Sequence, residues 1–275
     1  MAITTRHAFF TAVASHAAIA ARAAASVMTL FVGKSTFTFV HHCSLFTFWH
    51  PGCRNATMHV LHGDDKDETR MTLRIYGAPR SRTFRVLWAA EELGIPYENI
   101  PVDFGDGSKK ADYLAINPNG RIPAIDDGGF VLFESLAINM YLAKKHGAGT
   151  LYPAAAQDEA RLWQWSLWGA NEIEVALVQF ISNRHVLPPE KRNEPLAAEA
   201  EAKLPRPLGV LDAHLATRAH LLGGDFTIAD LNVGSLLYTA WINKADLSRW
   251  PRVKGWLDRL LTRPAALRAR KMRES

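Results

Sequence analysis

The chain has 275 residues, 48% of them apolar and 21% charged, with a formal net charge of +5. That length holds one large domain or two ordinary ones with a buried core, and the composition is that of a globular protein. The positive charge is spread along the chain, which argues against a nucleic-acid stripe, and no run of about 20 apolar residues is present to span a membrane as a helix.

Residues 1–70 differ from the rest. They hold both cysteines, Cys43 and Cys53, and seven of the 11 histidines. Asp64 is the first acidic residue; only Arg6, Arg22, Lys34 and Arg54 carry charge before it. Three readings stand side by side: a mis-assigned start with Met71 as the true one, a targeting segment, or an added module. The expectation is a non-native or disordered extension. The run "HHCSLFTFWHPGC" matches no standard zinc spacing, so no metal is expected. From Met71 onward there is no cysteine. That part cannot use its own thiol as a nucleophile or build a thiolate metal site.

The body then reads in chain order. Leu73–Tyr76 is a strand, and "SRTFRVLWAAEELG" has helical spacing closed by Gly94. "IPYENIPVDF" resumes as strand and "SKKADYLAIN" suits a short helix. Residues 117–120 are turn chemistry. Residues 122–125 and Phe130–Phe133 are two strands joined by "DDGG", a hairpin signal. "ESLAINMYLAKKHG" is a helix with a basic last turn. The order β-α-β-α-β-β-α implies a mixed four-stranded sheet with helices on it, over residues 71–150. Residues 157–275 show only helical periodicity, broken at Pro188–Pro189, Gly223–Gly224 and Pro251, and predict an all-helical domain. Within it Thr227 and Asp230 form a capping box, with Phe226 and Leu231 as its hydrophobic staple; this is read as a structural cap. "DFGDGSKK" has the letters of a kinase motif but none of its context, and is read as a turn.

A proline between Ile122 and Ala124 sits at the mouth of a buried strand, where it cannot join the ladder. A cis Ile122–Pro123 peptide fits that place. It would turn the N–H and C=O of Ile122 outward, where an extended peptide could pair with them. The helix starting at Glu134–Ser135 points its N-terminus, with free N–H groups and positive potential, at the same spot. Together they suit a small, extended, anionic peptide.

With "GAPRSRTFRVLWAAEELGIPYE", "NPNGRIPAI", "FES" and "GGDFTIADLNV" in this order and spacing, residues 71–275 resemble a cytosolic glutathione transferase, close to bacterial and fungal serine-type members. The resemblance implies a thioredoxin-like N-terminal domain, an all-α C-terminal domain, a homodimer and a cytoplasmic location. It implies glutathione as co-substrate with no other cofactor. Pro123 matches the family's cis-proline. Ile122 would pair its backbone with the cysteinyl unit, and Arg121 falls where a polar or basic residue also contacts glutathione. Ser135 would hold the γ-glutamyl carboxylate and Glu134 the amino group. Ser81 would take the place of the hydroxyl that contacts the thiol.

A free thiol has a pKa near about 8.5. A hydroxyl donating to sulfur and a helix N-terminus would lower it, and the thiolate would attack a small electrophile. In many serine-type relatives the serine lies six residues before the valine of "RV". Here Ser81 lies five before Val86 and Arg80 holds the other place. Thr83 and Tyr76 are alternative hydroxyls, and Arg80 or Arg82 alternative cations. Ser81 also reads as a helix N-cap. Trp165 and Trp168 would wall a pocket for a flat apolar electrophile, or pack in the core; Glu172 lies near the same face. The competing function is a glutathione-binding regulatory protein of the same fold without turnover.

Overall fold

The computed structural model describes the backbone of residues 27–32, 35–42 and 45–49, and all of residues 72–275. The chain forms two units, Met1–Glu68 and Thr69–Ser275. In the first, β1 (Val27–Val32), β2 (Ser35–His42) and β3 (Leu45–Trp49) pair as an antiparallel meander. The sequence expectations for residues 1–26 and 50–71, and for the side chains of the His41–Cys53 stretch, lie outside the described residues.

The second unit begins with the sheet. β4 (Leu73–Tyr76) pairs in parallel with β5 (Tyr97–Ile100) and antiparallel with β6 (Ala124–Asp127), which pairs antiparallel with β7 (Phe130–Phe133). The strand order is therefore β5-β4-β6-β7. β6 starts two residues later than expected, because Ile122–Pro123 is a cis peptide outside the ladder. The β6–β7 turn places Gly128 and Gly129 both at positive φ, the conformation a two-residue hairpin asks for. Asp126 Oδ1 accepts the Gly129 N–H at 2.6 Å.

The crossover between β4 and β5 is α1 (Phe84–Leu93), buried from Phe84 to Ala90. Gly94 ends it at φ +62, and the Ile95 N–H returns to the Ala90 carbonyl at 3.2 Å. This left-handed closure is available to glycine at little cost. The short α2 (Ala111–Leu114) precedes β6, and α3 (Ser135–His146) follows β7. A thioredoxin-like sheet with its helices is thus complete by α3.

The rest is helical. α4 (Ala156–Trp168) continues through a wide, π-helical turn at Gly169–Glu174 into α5 (Val175–Ile181). α6 (Glu194–Lys203), α7 (Pro205–His214), α8 (Ile228–Ile242), α9 (Pro251–Leu261) and α10 (Pro264–Glu274) complete it. α8 is buried nearly throughout, and α1 packs against α3, α8 and α10. One hydrophobic core joins the sheet helices to the helical half, with Trp88, Trp256, Tyr238 and Phe84 its largest fully buried side chains. Buried amides cross this core: Asn139 of α3 donates to Asn232 of α8 (2.9 Å), which donates to Ser166 of α4 (2.9 Å).

Candidate active site

The turn before β6 is built to hold one carbonyl and free the next residue. Asn117 Oδ1 accepts the Asn119 N–H (3.1 Å), and Asn117 Nδ2 donates to the Arg121 carbonyl (2.6 Å). Tyr113 adds a second donor to that carbonyl at 2.7 Å. Burial pushes the Tyr113 hydroxyl up to about 12, so it remains a donor at neutral pH. Lys109 Nζ ties the Gly120 carbonyl at 2.9 Å. The N–H and C=O of Ile122, by contrast, make no hydrogen bond within the described chain. The Ile122 side chain is buried and the Arg121 side chain exposed.

Glu134 caps α3 at φ +73, a left-handed value rare outside glycine, and its side chain is exposed. Strain of this kind costs on the order of 1–3 kcal/mol and concentrates at functional positions. The Glu134 carbonyl takes the Ile138 N–H, so the helix's first-turn amides are left to point outward. Ser135 is buried, and Arg85 Nη1 of α1 donates to its hydroxyl at 3.3 Å. Arg85 is 6% exposed. Its Nη2 donates to Glu174 Oε1 (2.9 Å), which also takes Arg82 Nε (2.6 Å). Burial alone would raise the Glu174 pKa, but the two guanidiniums outweigh it and hold the carboxyl below its usual range. Burial lowers Arg85, offset in part by Glu174; a guanidinium remains charged regardless.

Ser81 lies between β4 and α1 with extended backbone (φ −103, ψ −163). Its Oγ donates to the Ala78 carbonyl (2.7 Å), accepts the Thr83 N–H (3.1 Å) and meets the Thr83 hydroxyl at 2.9 Å. These bonds close a local turn ahead of α1, whose N-cap position is Thr83, in place of the N-cap expected at Ser81. Of the alternative groups, Thr83 is fully buried, Arg82 is committed to Glu174, and Arg80 Nη2 donates to the Ser275 carbonyl (3.0 Å). Gly77 locks this corner together. A Cβ there would lie 2.1 Å from Thr83 Oγ1 and 3.1 Å from Ile122 Cβ. Ser81 is thus linked to Ile122 through Thr83 and Gly77, and Ser135 is joined to α1 through Arg85.

The remaining sequence candidates belong to the helical half. Trp165 is 7% exposed, inside the helical core against His214 (ring centroids 4.5 Å apart) and edge-on to the half-buried Trp168 at 4.9 Å. Thr227 and Asp230 form the capping box of α8. Asp230 accepts from the Thr227 N–H (3.0 Å), the Leu221 N–H (2.9 Å) and Trp256 Nε1 (3.0 Å), all within the fold's interior. Sequence reasoning missed Arg85 and Glu174. Their signal was a lone arginine and a lone glutamate inside apolar runs, "FRVLW" and "IEVAL".

A thioredoxin-like sheet with an unpaired, cis-proline-bounded residue stands here against a helical domain, and known proteins share this two-domain organisation. Residues 71–144 match the glutathione S-transferase N-terminal domain and residues 172–264 the glutathione S-transferase C-terminal domain. The chain is 37% identical to glutathione S-transferase 3 of Zea mays over 70% of its own length and 90% of that protein. It is 32% identical to glutathione S-transferase PARB of Nicotiana tabacum, over 71% of this chain and 95% of that one. A solved theta class glutathione S-transferase from Xanthomonas axonopodis pv. citri, with glutathione bound, superposes with a TM-score of 0.68 at 32% identity, covering 72% of this chain and 96% of the other. The chain belongs to the glutathione S-transferase family and is a transferase of that family.

Proposed function

We propose that the chain binds glutathione extended along Ile122 and activates its thiol with Ser81 for attack on a small apolar electrophile. The observation that carries this reading is the unpaired Ile122 backbone, set between Gly77 and Thr83 on one side and the α3 N-terminus beyond it. The cysteinyl unit pairs with the Ile122 N–H and C=O as an added strand. Ser135 takes the γ-glutamyl carboxylate with its N–H and hydroxyl, helped by the helix N-terminus and the Arg85 cation behind it. Glu134 takes the amino group, and Arg121 reaches the same ligand from the turn.

The Ser81 hydroxyl donates to the Ala78 carbonyl at 2.7 Å. Bound sulfur offers a competing acceptor. The Thr83 N–H donates to Ser81 Oγ, which polarises the hydroxyl and makes it a better donor to a thiolate. The thiol gives its proton to solvent. The thiolate forms a new S–C bond, and the leaving group departs with the electrons of the bond that breaks. For the electrophile, Trp168 offers a partly exposed ring with Trp165 supporting it from the core side.

The serine-type subtype, the homodimer and the cytoplasm complete the proposal. The cytoplasm is the compartment that keeps glutathione reduced. A homodimer has apolar residues on the α4–α5 surface to bury: Trp163, Leu167, Val175 and Val178 are all exposed.

The decisive measurement is the thiolate ultraviolet absorbance of glutathione bound to the full chain, followed against pH. The expected result is a bound thiol pKa at least about one unit below the free value near 8.5, rising toward it in Ser81→Ala. A lowered pKa that survives Ser81→Ala would move the role to another group. Binding with no lowering would leave a glutathione-binding protein without thiol activation.

A further inference from the structure

The last turn of the fold returns to the loop that carries Ser81. α10 lies along α1, and Arg273 stands near its end. Arg273 Nη1 donates to two carbonyls at once, Pro79 at 3.1 Å and Ser81 at 2.7 Å. The guanidinium lies over the rings of Phe84 (5.5 Å) and Tyr238 (5.0 Å), so its stem and head are both fixed. Tyr238 in turn donates to Glu274 (2.8 Å), which also takes Arg270 Nε (2.9 Å). The loop answers in the opposite direction through Arg80, whose Nη2 donates to the Ser275 carbonyl (3.0 Å). Three hydrogen bonds thus join residues 79–81 to residues 273–275.

We propose that Arg273 is a positioning residue for thiol activation: it clamps the carbonyls that bracket Arg80 and Ser81, and so fixes where the Ser81 hydroxyl points. This rests on the reading of Ser81 as the thiol-activating group. The physical argument is preorganisation. A donor stabilises a developing anion only while it is aimed, and a loop free to rock spends part of its time elsewhere. Ser81 has extended backbone between two turns of helix, so single turn bonds, such as its N–H to the Ala78 carbonyl at 3.0 Å, hold it in place of a continuous helical ladder, and the Arg273 contacts add to them. The clamp is also electrostatically settled. Burial lowers the Arg273 pKa, Tyr238 and Glu274 offset this in part and Arg85 opposes, and the group stays a cation. The charged groups facing the loop are then Arg80, Arg82, Arg85 with Glu174, and Arg273 with Glu274.

The test measures the pKa of bound glutathione's thiol in the full chain for Arg273→Gln, Arg273→Met, Ser81→Ala and the double variant Ser81→Ala/Arg273→Gln. Arg273→Met keeps the apolar stem against Phe84 and Tyr238 while removing the donors. Lys271→Gln, exposed on the same helix, is the control. Binding of S-methylglutathione, which has no thiol, reports whether the site is otherwise intact. The expected result is a rise in thiol pKa for both Arg273 variants, no further rise in the double variant over Ser81→Ala, and unchanged S-methylglutathione affinity. A rise that adds in full to that of Ser81→Ala would overturn the proposal, because Arg273 would then act by its own charge. An unchanged pKa in both Arg273 variants beside a rise in Ser81→Ala would overturn it and leave Ser81 standing. A silent Ser81→Ala would remove the reading on which it rests.

Discussion

Glu174 shows how one residue can matter both to stability and to the arrangement of a candidate site. It is 9% exposed, and it neutralises the buried Arg85 that stands behind Ser135. Removing one partner of a buried pair strands the other, at a cost of about 3–5 kcal/mol. Glu174→Gln is therefore expected to lower the unfolding free energy read by urea denaturation by that much, with Glu172→Gln near neutral. The pair also carries a pH dependence. The folded carboxyl titrates below its unfolded counterpart, so its stabilisation is complete above about pH 4.3 and fades as pH falls through the lower folded value. Acid titration of the Glu174→Gln variant should lack that component. Sequence periodicity drew attention to Glu172 because it assumes 3.6 residues per turn. The wide turn at Gly169–Glu174 adds a residue, rotates the following helix, and brings Glu174 to face α1.

At the level of elements, the parts fixed by local chemistry were the legible ones. The Gly128–Gly129 turn, the Gly94 closure and the capping box of α8 each follow from residue types that permit one conformation or satisfy one set of donors. The candidate residues Ser81, Ile122 and Ser135 stand at turns and helix starts, the places where local sequence chemistry is most informative. The start of β6 was displaced because proline removes a donor without saying on which side the ladder resumes. Two substitutions probe these elements. Asp230→Ala removes a cap and leaves the Leu221 N–H and Trp256 Nε1 buried without an acceptor. The expected loss is about 3 kcal/mol or more by urea denaturation. Gly77→Ala forces a Cβ onto the Thr83 hydroxyl from a backbone at φ +136. It should shift Ser81 and weaken glutathione binding, readable by calorimetry; full affinity with an unchanged thiol pKa would contradict the linkage of these residues through Gly77.

Over the whole of residues 72–275, the two halves are tied by charge and amide pairs as well as by the shared core. Arg263 grips Glu92 with two hydrogen bonds (2.7 and 2.8 Å), Arg268 pairs with Glu91, and Asn139 meets Asn232. None of these pairs was legible in the sequence, because each joins residues more than 90 positions apart and no local pattern records such a partner. The expectation is one cooperative unit. Native-state hydrogen exchange of Ile75 and Ile125 in the sheet and of Leu236 in α8 should report the same opening free energy, and a gap of about 2 kcal/mol or more would mean two units. The loop at residues 79–81 takes hydrogen bonds from Arg273, some 192–194 positions downstream. A growing chain emerges at about 5–20 residues per second, amino end first. The sheet's strands would therefore be in hand well before the groups that hold the Ser81 loop. A ribosome-held intermediate would carry a recognisable sheet and an unfinished loop, and on the role proposed for Ser81, competence to activate a thiol would be among the last properties the molecule acquires.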